Sequence, residues 1–314
     1  MSNLGDIVLT TPVYTALCDK FPDAVIDIVT SPAGEAIFTG ARSKGKIIVR
    51  KRRQTLKERF FEVIDFRRER YDLAVDLKNS FLPVFSGARY AFPILPALRR
   101  KGHMLDVHMG VIKKLSGKDP FNKRFFITVS ETDKKFVSGI MEGGEFFGEK
   151  EKRTVVINPG AKSHIKRWGV KNYAGLLKKF DRRQGYRVIM VGGKEDSGMI
   201  KDILDISGAC AIDLSGKTTI GALYELIKHS DVLITNDSGP MHIASAAGTP
   251  TVAIFGPSNE KKYGPLAPGS FVLTPEVDCR PCEKALCSKG FNDGCISMVT
   301  PDRVFEAAKS ILER

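Results

Sequence analysis

A polar stretch at residues 235–242 has the residue types and the spacing to bind an anionic ligand. Its sequence is Thr-Asn-Asp-Ser-Gly-Pro-Met-His. It lies between a short, mainly apolar run at 231–234 and a run of small residues at 243–247. The apolar run predicts a buried parallel strand and the small residues predict a helix, so the stretch is a strand-to-helix turn. Such a turn presents side chains and free backbone N–H groups at the carboxyl edge of a sheet, where α/β proteins bind ligands. A capped helix without a ligand is the alternative, because Asp237 and Ser238 are both good N-cap residues.

A second candidate residue is Asp6, which follows Gly5 near the beginning of the chain. A carboxylate beside a helix N-terminus stays ionised and can act as a general base, and an N-cap aspartate without a catalytic role is the alternative. A glycine turn that enters a helix needs a strand before it, and only three residues precede Leu4. We therefore expect that the first strand of this sheet is missing, which would leave ladder groups of its neighbours without partners.

Three further turns carry polar residues after apolar runs. The segment 158–168 combines a glycine with several basic residues, which suits phosphate oxygens, and its Trp168 is expected in the core. The stretch 191–196 has two glycines followed by Glu195 and Asp196, and a carboxylate there could hold ribose hydroxyls. The segment 215–219 resembles the end of a P-loop but lacks the first glycine of that motif. We therefore exclude a P-loop ATPase and keep a role in lining a nucleotide pocket.

Four cysteines near the end of the chain, Cys279, Cys282, Cys287 and Cys295, follow the spacing C-x2-C-x4-C-x7-C. In a cytoplasmic chain, clustered thiolates favour metal ligation over disulfides. The spacing does not match a standard two-knuckle zinc site. A structural metal is therefore one candidate, and free thiols or a redox pair are the alternatives.

The chain is strongly basic, and its excess of positive charge lies in one segment. The net charge is +13, and residues 42–124 contain 22 Lys and Arg but only 8 Asp and Glu. This predicts an anionic partner, either a phosphorylated substrate, phospholipid headgroups or nucleic acid, with a merely solvated basic surface as the alternative. No apolar run of about 18 residues and no secretory signal are present, so we expect a cytoplasmic protein.

The apolar patterns alternate between strand and helix periods in two successive runs, which predicts an α/β fold with two doubly wound domains facing a cleft. The first run predicts strands at 25–29, 46–49, 71–77 and 89–92 and helices at 55–68, 103–115 and 132–147. The second predicts strands at 154–158, 187–191, 211–214, 231–234 and 251–255 and helices at 171–183, 197–206, 220–229 and 301–313. A charged linker at 148–153 separates the runs. We therefore place domains at 1–149 and 150–300, followed by a C-terminal helix at 301–314.

Six segments of the chain together form a recognisable pattern. They are Ser2-Asn3-Leu4-Gly5-Asp6-Ile7-Val8-Leu9-Thr10-Thr11-Pro12, Asn158-Pro159-Gly160, Lys166-Arg167-Trp168, Gly216-Lys217-Thr218, Asn236-Asp237-Ser238-Gly239-Pro240-Met241-His242 and Phe255-Gly256-Pro257. In these segments and in their order, the chain resembles the ADP-heptose:lipopolysaccharide heptosyltransferases, glycosyltransferase family 9. The resemblance covers nearly the whole chain. It also supports the expectation of a missing first strand, because family members normally carry a strand just before the segment that matches Ser2.

The resemblance implies a GT-B fold, in which two Rossmann-like domains face a cleft and bind the acceptor and the nucleotide sugar respectively. It implies an inverting transfer of heptose from ADP-heptose to a lipopolysaccharide core, with no metal or other cofactor required. Asp6 matches the catalytic base that removes the proton of the acceptor hydroxyl. Lys166 matches the lysine that binds the donor phosphates.

Further positions match residues that bind the donor. Glu195 and Thr218 correspond loosely to residues that contact the adenosine. The residues that match the loop holding the sugar and the diphosphate are Asp237, Ser238, Gly239 and His242. Physical chemistry agrees with these roles, because a leaving ADP gains negative charge that a lysine and a helix N-terminus can stabilise without a metal.

For the acceptor, the basic residues Arg50, Arg52 and Arg53, together with the segment 99–101, suit a glycolipid rich in acidic sugars and phosphate. We expect this acceptor at the inner face of the cytoplasmic membrane, where the protein would be peripheral. A related glycosyltransferase that uses another nucleotide sugar or glycan acceptor would need similar residues and stays open. A nucleic-acid-binding protein with a zinc-like cysteine cluster is more remote, because residues 42–124 contain no recognition helix or interleaved aromatic pattern. Nucleic acid is therefore not an expected partner.

Overall fold

The computed structural model describes residues 3–50, 54–78, 82–92, 102–117, 123–143, 153–180, 185–290 and 294–314. By internal contacts the chain divides into two compact units, Met1–Thr128 and Val129–Arg314, which are termed the first and the second unit. In the described part of the chain, no helix combines the length and the hydropathy needed to cross a membrane.

The first unit alternates short strands with helices. Its helices are α1 (Leu4–Val8), α2 (Thr11–Lys20), α3 (Pro32–Phe38), α4 (Leu56–Arg68), α5 (Leu82–Phe85) and α6 (Met104–Ser116), and its strands are β1 (Ile28–Thr30), β2 (Ile47–Val49), β3 (Leu73–Val75) and β4 (Tyr90–Phe92). Strand β1 pairs with β2 and β3 pairs with β4, both in parallel, and no strand among the described residues joins the two pairs. The expectation of a missing first strand stays a prediction.

Helices α2 and α6 hold the core of the first unit together. Leu9 and Val13 pack against Leu105, Met109 and Ile112, and all five side chains are nearly inaccessible to solvent. Helix α6 is amphipathic, with its apolar residues recurring at helical spacing, so burial of one face stabilises it. The predicted helix at 103–115 is thereby confirmed.

The predicted glycine turn at the beginning of the chain needs a correction. Helix α1 begins at Leu4, so Gly5 and Asp6 are helical residues and do not form a turn before the helix. Helix α1 ends after five residues, and α2 starts with Pro12 in its first turn, a position where the missing N–H of proline costs nothing. The backbone N–H and the hydroxyl of Thr10, between the two helices, both donate to the carbonyl of Ile7, at 2.9 and 2.7 Å, and close the turn between them.

The second unit is built on one parallel sheet. Its helices are α7 (Glu131–Glu142), α8 (Val170–Leu177), α9 (Ser197–Ser207), α10 (Ile220–Lys228), α11 (Gly239–Ala247), α12 (Glu260–Tyr263) and α13 (Pro301–Leu312), and its strands are β5 (Arg153–Asn158), β6 (Tyr186–Met190), β7 (Ile212–Asp213), β8 (Val232–Asn236), β9 (Thr251–Ile254) and β10 (Phe271–Leu273). The six strands have the order β10-β9-β8-β5-β6-β7, and every pair is parallel. This is the doubly wound arrangement that the alternating pattern predicts.

The central strands of this sheet are buried on both faces. All residues of β8 and β9 are inaccessible, as expected for β-branched runs covered by helices on either side. Trp168 is fully buried in the same core, and its indole N–H donates to the carbonyl of Val299 at 2.7 Å. Its prediction as a core residue is confirmed.

Among the described strands, β10 is the one that the sequence patterns do not predict, and the short helices α3, α5 and α12 are also not predicted. Strand β10 has only three residues and pairs with β9 at the edge of the sheet. Too short to show an alternating or continuous apolar pattern, it is recognisable as a strand only through its partner.

The boundary between the two units, at 128/129, lies earlier in the chain than the predicted domain boundary at 149/150. Helix α7 belongs to the second unit because it packs against α10, where the Thr219 hydroxyl donates to the Asp133 carboxylate at 2.5 Å. The predicted boundary and most of the predicted linker lie at 144–152, outside the described residues. The predicted C-terminal helix is present as α13, which packs on α8 and on the central strands of the second unit.

Candidate functional site

The candidate site lies at the carboxyl edge of the sheet of the second unit. Strands β9, β8 and β5 are neighbours, and Asn158 at the end of β5 pairs in register with Thr235 near the end of β8. The turns that follow these three strands therefore start side by side. They contain the segments that the sequence singled out after residue 158, at 236–242 and at 255–257.

An ion pair between Lys166 and Asp237 is the centre of this edge. The ammonium Nζ of Lys166 lies 2.6 Å from Oδ2 of Asp237, and 71 residues separate the two in sequence. The Lys166 side chain is 34 % exposed and that of Asp237 only 7 %, so the cation faces the opening and the carboxylate lies beneath it. The pair thus presents a positive group to an incoming anion while its counter-charge holds it in position.

Close packing of the backbone fixes the turn that carries Lys166. Residues His164–Lys166 form a 3₁₀ turn, and Ile165 at its centre is buried. A Cβ atom placed on Gly294 would lie 2.8 Å from the carbonyl oxygen of Ile165, and Gly294 also has a φ of +72°. Gly256 approaches the same carbonyl, where a Cβ would lie at 3.2 Å. Only glycine permits the contact at Gly294, and a side chain at Gly256 would crowd the same carbonyl, so two distant turns of the chain hold Lys166 in place.

Asn236, the last residue of β8, connects its strand to the segment that follows β5. Its side chain is fully buried, and its amide Nδ2 donates to the carbonyl of Pro159 at 2.7 Å. Its Oδ1 accepts from the backbone N–H of Trp168 at 3.2 Å and from the hydroxyl of Tyr173 at 3.0 Å. Sequence reasoning placed Asn236 in a motif but gave it no role. The available signal was a polar residue ending a buried strand, since such a group must find partners inside the protein.

The start of α11 supplies backbone donors beside the ion pair. Ser238 is the N-cap, but its hydroxyl lies 3.0 Å from that of Thr235 and does not cap the helix N–H groups. The first turn therefore leaves polar N–H groups, including that of Gly239, for an anionic ligand. His242, one turn further along α11, is buried.

Glu195 and Thr218 lie at the other end of the same edge, after β6 and β7. Glu195 is exposed within the 3₁₀ turn Lys194–Asp196, and Thr218 is half-buried. The N–H of Gly216 donates to the carbonyl of Gly192 at 2.9 Å, which brings the two turns together. The edge thus runs from Asp237 past Lys166 to Glu195 and Thr218, an order that can accommodate an elongated ligand.

A buried carboxylate whose structural role the sequence did not indicate lies between these two parts of the edge. Asp196 is 8 % exposed, and its Oδ2 accepts from the N–H of Gly193 at 3.0 Å. A Cβ atom on Gly160 would lie 2.4 Å from that same oxygen, and one on Gly192 would lie 2.9 Å from the Asp196 Cβ. Asp196 therefore packs directly against both glycine turns and sets their spacing.

Arg280 ties the cysteine-containing segment to this edge. Its guanidinium is 8 % exposed, donates to the carbonyls of Gly256 and Ser258, and pairs with Glu260 at 3.1 Å. The peptide bond between Arg280 and Pro281 is cis. The turn after β9 is thus held from outside by an arginine that no sequence motif indicated.

The four clustered cysteines are free thiols. Among the residues that the structure describes, no group of three or more His, Cys, Asp or Glu side chains could hold a metal ion, so the structural metal suggested by the spacing finds no support. Burial raises the pKa of the Cys295 thiol; the nearby Arg280 acts in the opposite sense, and the other three cysteines add to the rise. This thiol is therefore protonated at neutral pH, which suits a packed residue better than a ligand.

The remaining predicted residues belong to the first unit. Asp6 is half-buried in the first turn of α1, so it lies in a different unit from Lys166. Arg50, at the end of β2, pairs with Glu62 at 2.7 Å and donates to Gln54 at 2.9 Å, so an acidic ligand would have to compete with Glu62 for it. The other predicted acceptor residues, Arg52 and Arg53, lie outside the described residues, as does the basic segment 99–101.

A buried histidine supports the segment that follows Asp6. Nδ1 of His108 on α6 lies 3.3 Å from the carbonyl oxygen of Leu9, and its side chain is 2 % exposed. Burial lowers the pKa of His108 to about 4; the contact with the Leu9 carbonyl opposes this shift. The ring is therefore neutral near pH 7 and acts as a packed support for the chain after α1.

Comparison with known proteins places these features in a family. The model of glycosyltransferase family 9 (heptosyltransferase) matches residues 104–291. Lipooligosaccharide heptosyltransferase 2 of Campylobacter jejuni subsp. jejuni serotype O:2 is 27 % identical, over 99 % of this chain and 96 % of its own.

Two solved structures share the fold over the full length of this chain. A family 9 glycosyl transferase from Veillonella parvula has a TM-score of 0.80 at 23 % identity, and 95 % of it is covered. The ADP-heptose lps heptosyltransferase II of E. coli has a TM-score of 0.72 at 24 % identity, with 97 % covered. The predicted α/β fold of the GT-B class is thereby confirmed.

Proposed function

Because the chain belongs to glycosyltransferase family 9 (heptosyltransferase), we propose that it transfers heptose from ADP-heptose to the core of a lipopolysaccharide acceptor. The relatives' names support this proposal, since those of the C. jejuni and E. coli proteins specify heptosyltransferases of lipooligosaccharide or lipopolysaccharide. The observation that carries it is the Lys166–Asp237 pair beside the start of α11, at the edge of a parallel sheet.

The donor would lie along the carboxyl edge of the second unit. Its diphosphate suits the position above Lys166 and the start of α11, because both present positive or partially positive groups to oxygen anions. Its adenosine suits the turns after β6 and β7, where Glu195 could accept from ribose hydroxyls. The order of these groups along the edge matches the order of the chemical groups in a nucleotide sugar.

The reaction we propose is a single displacement at the anomeric carbon. The acceptor hydroxyl oxygen forms the new bond, and the bond from that carbon to the β-phosphate oxygen breaks, its electron pair leaving with ADP. The leaving group gains negative charge, which Lys166 and the N–H groups of α11 stabilise without a metal ion. The Asp237 carboxylate would hold Lys166 before the donor arrives and accept from sugar hydroxyls afterwards.

Asp6 would accept the proton of the attacking hydroxyl. The attacking hydroxyl must approach the anomeric carbon from the face opposite the leaving group, which gives inversion, so its base must be on that face as well. In this proposal the first unit binds the acceptor and the second unit binds the donor. Arg50 and the neighbouring basic residues would bind acidic groups of the acceptor, with Glu62 displaced or retained as part of a network.

The acceptor also determines where the protein would work. A lipopolysaccharide precursor is a glycolipid, so the enzyme would act in the cytoplasm at the membrane surface that holds the precursor. The basic excess in residues 42–124 suits that surface and an acceptor with acidic groups.

A transfer assay tests this proposal. The full chain is incubated with ADP-heptose and a heptose-free lipopolysaccharide, and ADP release and product mass are measured for the wild type and for Asp6→Asn. We expect transfer by the wild type and a loss of at least about a hundredfold in kcat for the variant, which is the lower limit of the range for a general base. Lys171→Met, at an exposed lysine of α8, is the control and should keep full activity.

The outcomes separate the alternatives. Transfer that persists in Asp6→Asn removes Asp6 from its role as base. Turnover of a different nucleotide sugar, with none of ADP-heptose, assigns the site to a related glycosyltransferase. Tight, salt-sensitive binding of unrelated RNA without any transfer contradicts the proposal altogether.

A further inference from the structure

The outward face of α4 exposes three large apolar side chains. Leu56 is 85 % exposed, Phe60 64 % and Phe61 52 %, and the two phenylalanine rings lie 5.9 Å apart. Phe66 is the only residue of α4 that is buried. Apolar surface of this kind, concentrated on one helix, marks a site of interaction with a protein or a membrane.

Helical geometry places these side chains together. Leu56 and Phe60 are four residues apart, as are Lys57 and Phe61, so all four point to the same side of the helix. Phe66 falls on the opposite side, where it packs into the first unit. Helix α4 is thus attached by one face and presents the other, with aromatic and basic residues adjacent.

The acidic residues of α4 are already engaged. Glu58 closes a capping box at the start of the helix. Glu62 pairs with Arg50 at 2.7 Å, and Asp65 lies 3.7 Å from Arg68. Two of the three carboxylates of α4 are therefore paired with an arginine.

The basic residues of its first turn are not engaged in this way. Lys57 and Arg59 are exposed and form no ion pair with any residue that the structure describes. Residues 50–70 contain nine Lys and Arg against four Asp and Glu. The exposed apolar residues of α4 therefore belong to a segment with net positive charge.

We propose that α4 is the segment by which the first unit binds the surface of a bilayer that contains anionic lipid. Leu56, Phe60 and Phe61 would enter the boundary between headgroups and acyl chains, and Lys57 and Arg59 would contact lipid phosphates. Exposed aromatic and leucine side chains beside lysine and arginine are the composition of interfacial helices. This deepens the proposed location at a membrane surface by naming the residues that make the contact.

Charge complementarity selects this occupant over a second copy of the chain. A symmetric dimer through α4 would bring the same basic residues of both copies together, which is unfavourable. An anionic lipid surface attracts them at every position. The location also suits a lipid-linked acceptor, since α4 follows Arg50 closely in the chain and both belong to the first unit.

Vesicle sedimentation tests the proposal without any donor or acceptor. The full chain is mixed with vesicles of phosphatidylcholine that contain phosphatidylglycerol, or with vesicles of phosphatidylcholine alone. We expect binding to the anionic vesicles only. Phe60→Ser/Phe61→Ser should weaken it by at least about tenfold through lost apolar burial, and Lys57→Gln/Arg59→Gln by about tenfold through lost electrostatic attraction.

A matched control removes exposed apolar residues elsewhere. Ile206→Ser/Leu286→Ser changes two side chains of the second unit that are 51 % and 70 % exposed, and it should bind like the wild type. Circular dichroism and thermal unfolding establish that each variant is folded.

Three results would overturn the proposal. The first is wild-type chain that stays in the supernatant with anionic vesicles. The second is equal binding of the α4 variants and the wild type. The third is a wild-type dimer, seen by analytical ultracentrifugation, that becomes a monomer in Phe60→Ser/Phe61→Ser.

The vesicle result is also separable from the proposed transfer reaction. The α4 variants should retain transfer to a lipid-free core oligosaccharide while losing vesicle binding. A chain that binds anionic vesicles through α4 but transfers no sugar would overturn the enzymatic proposal alone.

Discussion

At the scale of single residues, the candidate site depends on two side chains that hold others in place. Lys166 is directed by Asp237 beneath it, and Asn236 holds the chain on both sides of Lys166 through hydrogen bonds with Pro159, Trp168 and Tyr173. The first pair would act on a ligand directly, whereas Asn236 is too deeply buried to touch one. The two roles make different predictions for substitution.

Replacing the lysine should weaken nucleotide binding. Lys166→Met removes a charged donor to the phosphates. Such a hydrogen bond contributes about 1.5–3 kcal/mol, so we expect the Kd for ADP to rise about tenfold to a hundredfold. Asp237 is then left buried without its cation, which should lower the free energy of unfolding by about 1–3 kcal/mol, less than for a fully buried pair. Calorimetric titration with ADP measures the first effect, and Lys171→Met provides the comparison. An unchanged Kd would contradict the phosphate-binding role of Lys166.

Replacing the asparagine should destabilise the second unit. Asn236→Ala leaves the buried Pro159 carbonyl and Trp168 N–H without this partner, whereas the Tyr173 hydroxyl keeps the Asn158 carbonyl, so the free energy of unfolding should fall by about 2–4 kcal/mol. Asn236→Asp should not restore stability, because a carboxylate oxygen would then face the carbonyl of Pro159. Urea unfolding measures both variants against Asn259→Ala, which removes an exposed helix cap and should cost only about 1 kcal/mol. Wild-type stability in Asn236→Asp would show that Nδ2 contributes nothing.

At the scale of elements, the turns after β5 and β6 pack together around Asp196. The sequence showed the glycines of both turns, which permit close approach of the backbone to a ligand. It did not show that Gly160 is required by Asp196, because that contact joins two turns that are distant in the chain. The glycines therefore serve packing against Asp196 first, and any approach of a ligand depends on that packing.

A double-mutant cycle tests this packing. Gly160→Ala places a methyl group against the Asp196 carboxylate, so we expect a loss of about 2 kcal/mol or more in unfolding free energy, typical of overpacking. Asp196→Ala should reduce that penalty when the two changes are combined. The matched control is Gly139→Ala in α7, where an added methyl meets nothing within 4 Å and helix propensity should stabilise by about 1 kcal/mol. Additive effects of Gly160→Ala and Asp196→Ala would exclude the contact.

Elements with strong periodic patterns were predictable from the sequence, and those defined by a partner were not. The central strands β5, β8 and β9 are long, β-branched and buried, so their pattern and their burial agree. Strand β10 is a three-residue edge strand, defined by its pairing with β9 alone.

The candidate site shows the same limit. Lys166 and Asp237 were each predicted, yet their contact follows from the order of strands in the sheet. The pairing of Arg50 with Glu62 and the contacts of Arg280 are tertiary contacts that no local motif encodes. The family itself was predicted from the segments in order, and the match of the family model confirms it.

At the scale of the whole molecule, the two units differ in charge and in the predicted binding residues that they contain. The basic excess falls in residues 42–124 of the first unit, whereas the predicted donor residues lie in the second. This separation suits an enzyme that binds a glycolipid with one unit and a nucleotide sugar with the other.

The buried His108 makes the stability of the first unit depend on pH. His108 has an ordinary pKa of about 6.5 in the unfolded chain and a pKa lowered to about 4 in the folded one. Between these values the unfolded chain binds the extra proton, so stability should fall as pH decreases from 6.5 towards 4, and no effect is expected above that window. The full loss is about 3 kcal/mol. His108→Gln should remove this part of the pH dependence.

Hydrogen exchange of α6, measured across this pH range in wild type and variant, distinguishes the histidine from other titrating groups. The difference between the two proteins should grow below pH 6.5 and level off near pH 4. A constant difference over the whole range would show that His108 does not carry the effect. Amides of β8 in the second unit provide the internal comparison and should not respond to the substitution.

The burial of Trp168 has one further, practical consequence. It is the only tryptophan of the chain, its indole is fully enclosed, and its backbone N–H is bonded to Asn236 two residues after Lys166. Its fluorescence therefore reports on the second unit alone and originates next to the position proposed for the diphosphate. Nucleotide binding, and unfolding of the donor-binding half, can thus be followed optically in the unlabelled protein, with the first unit spectroscopically silent at tryptophan wavelengths.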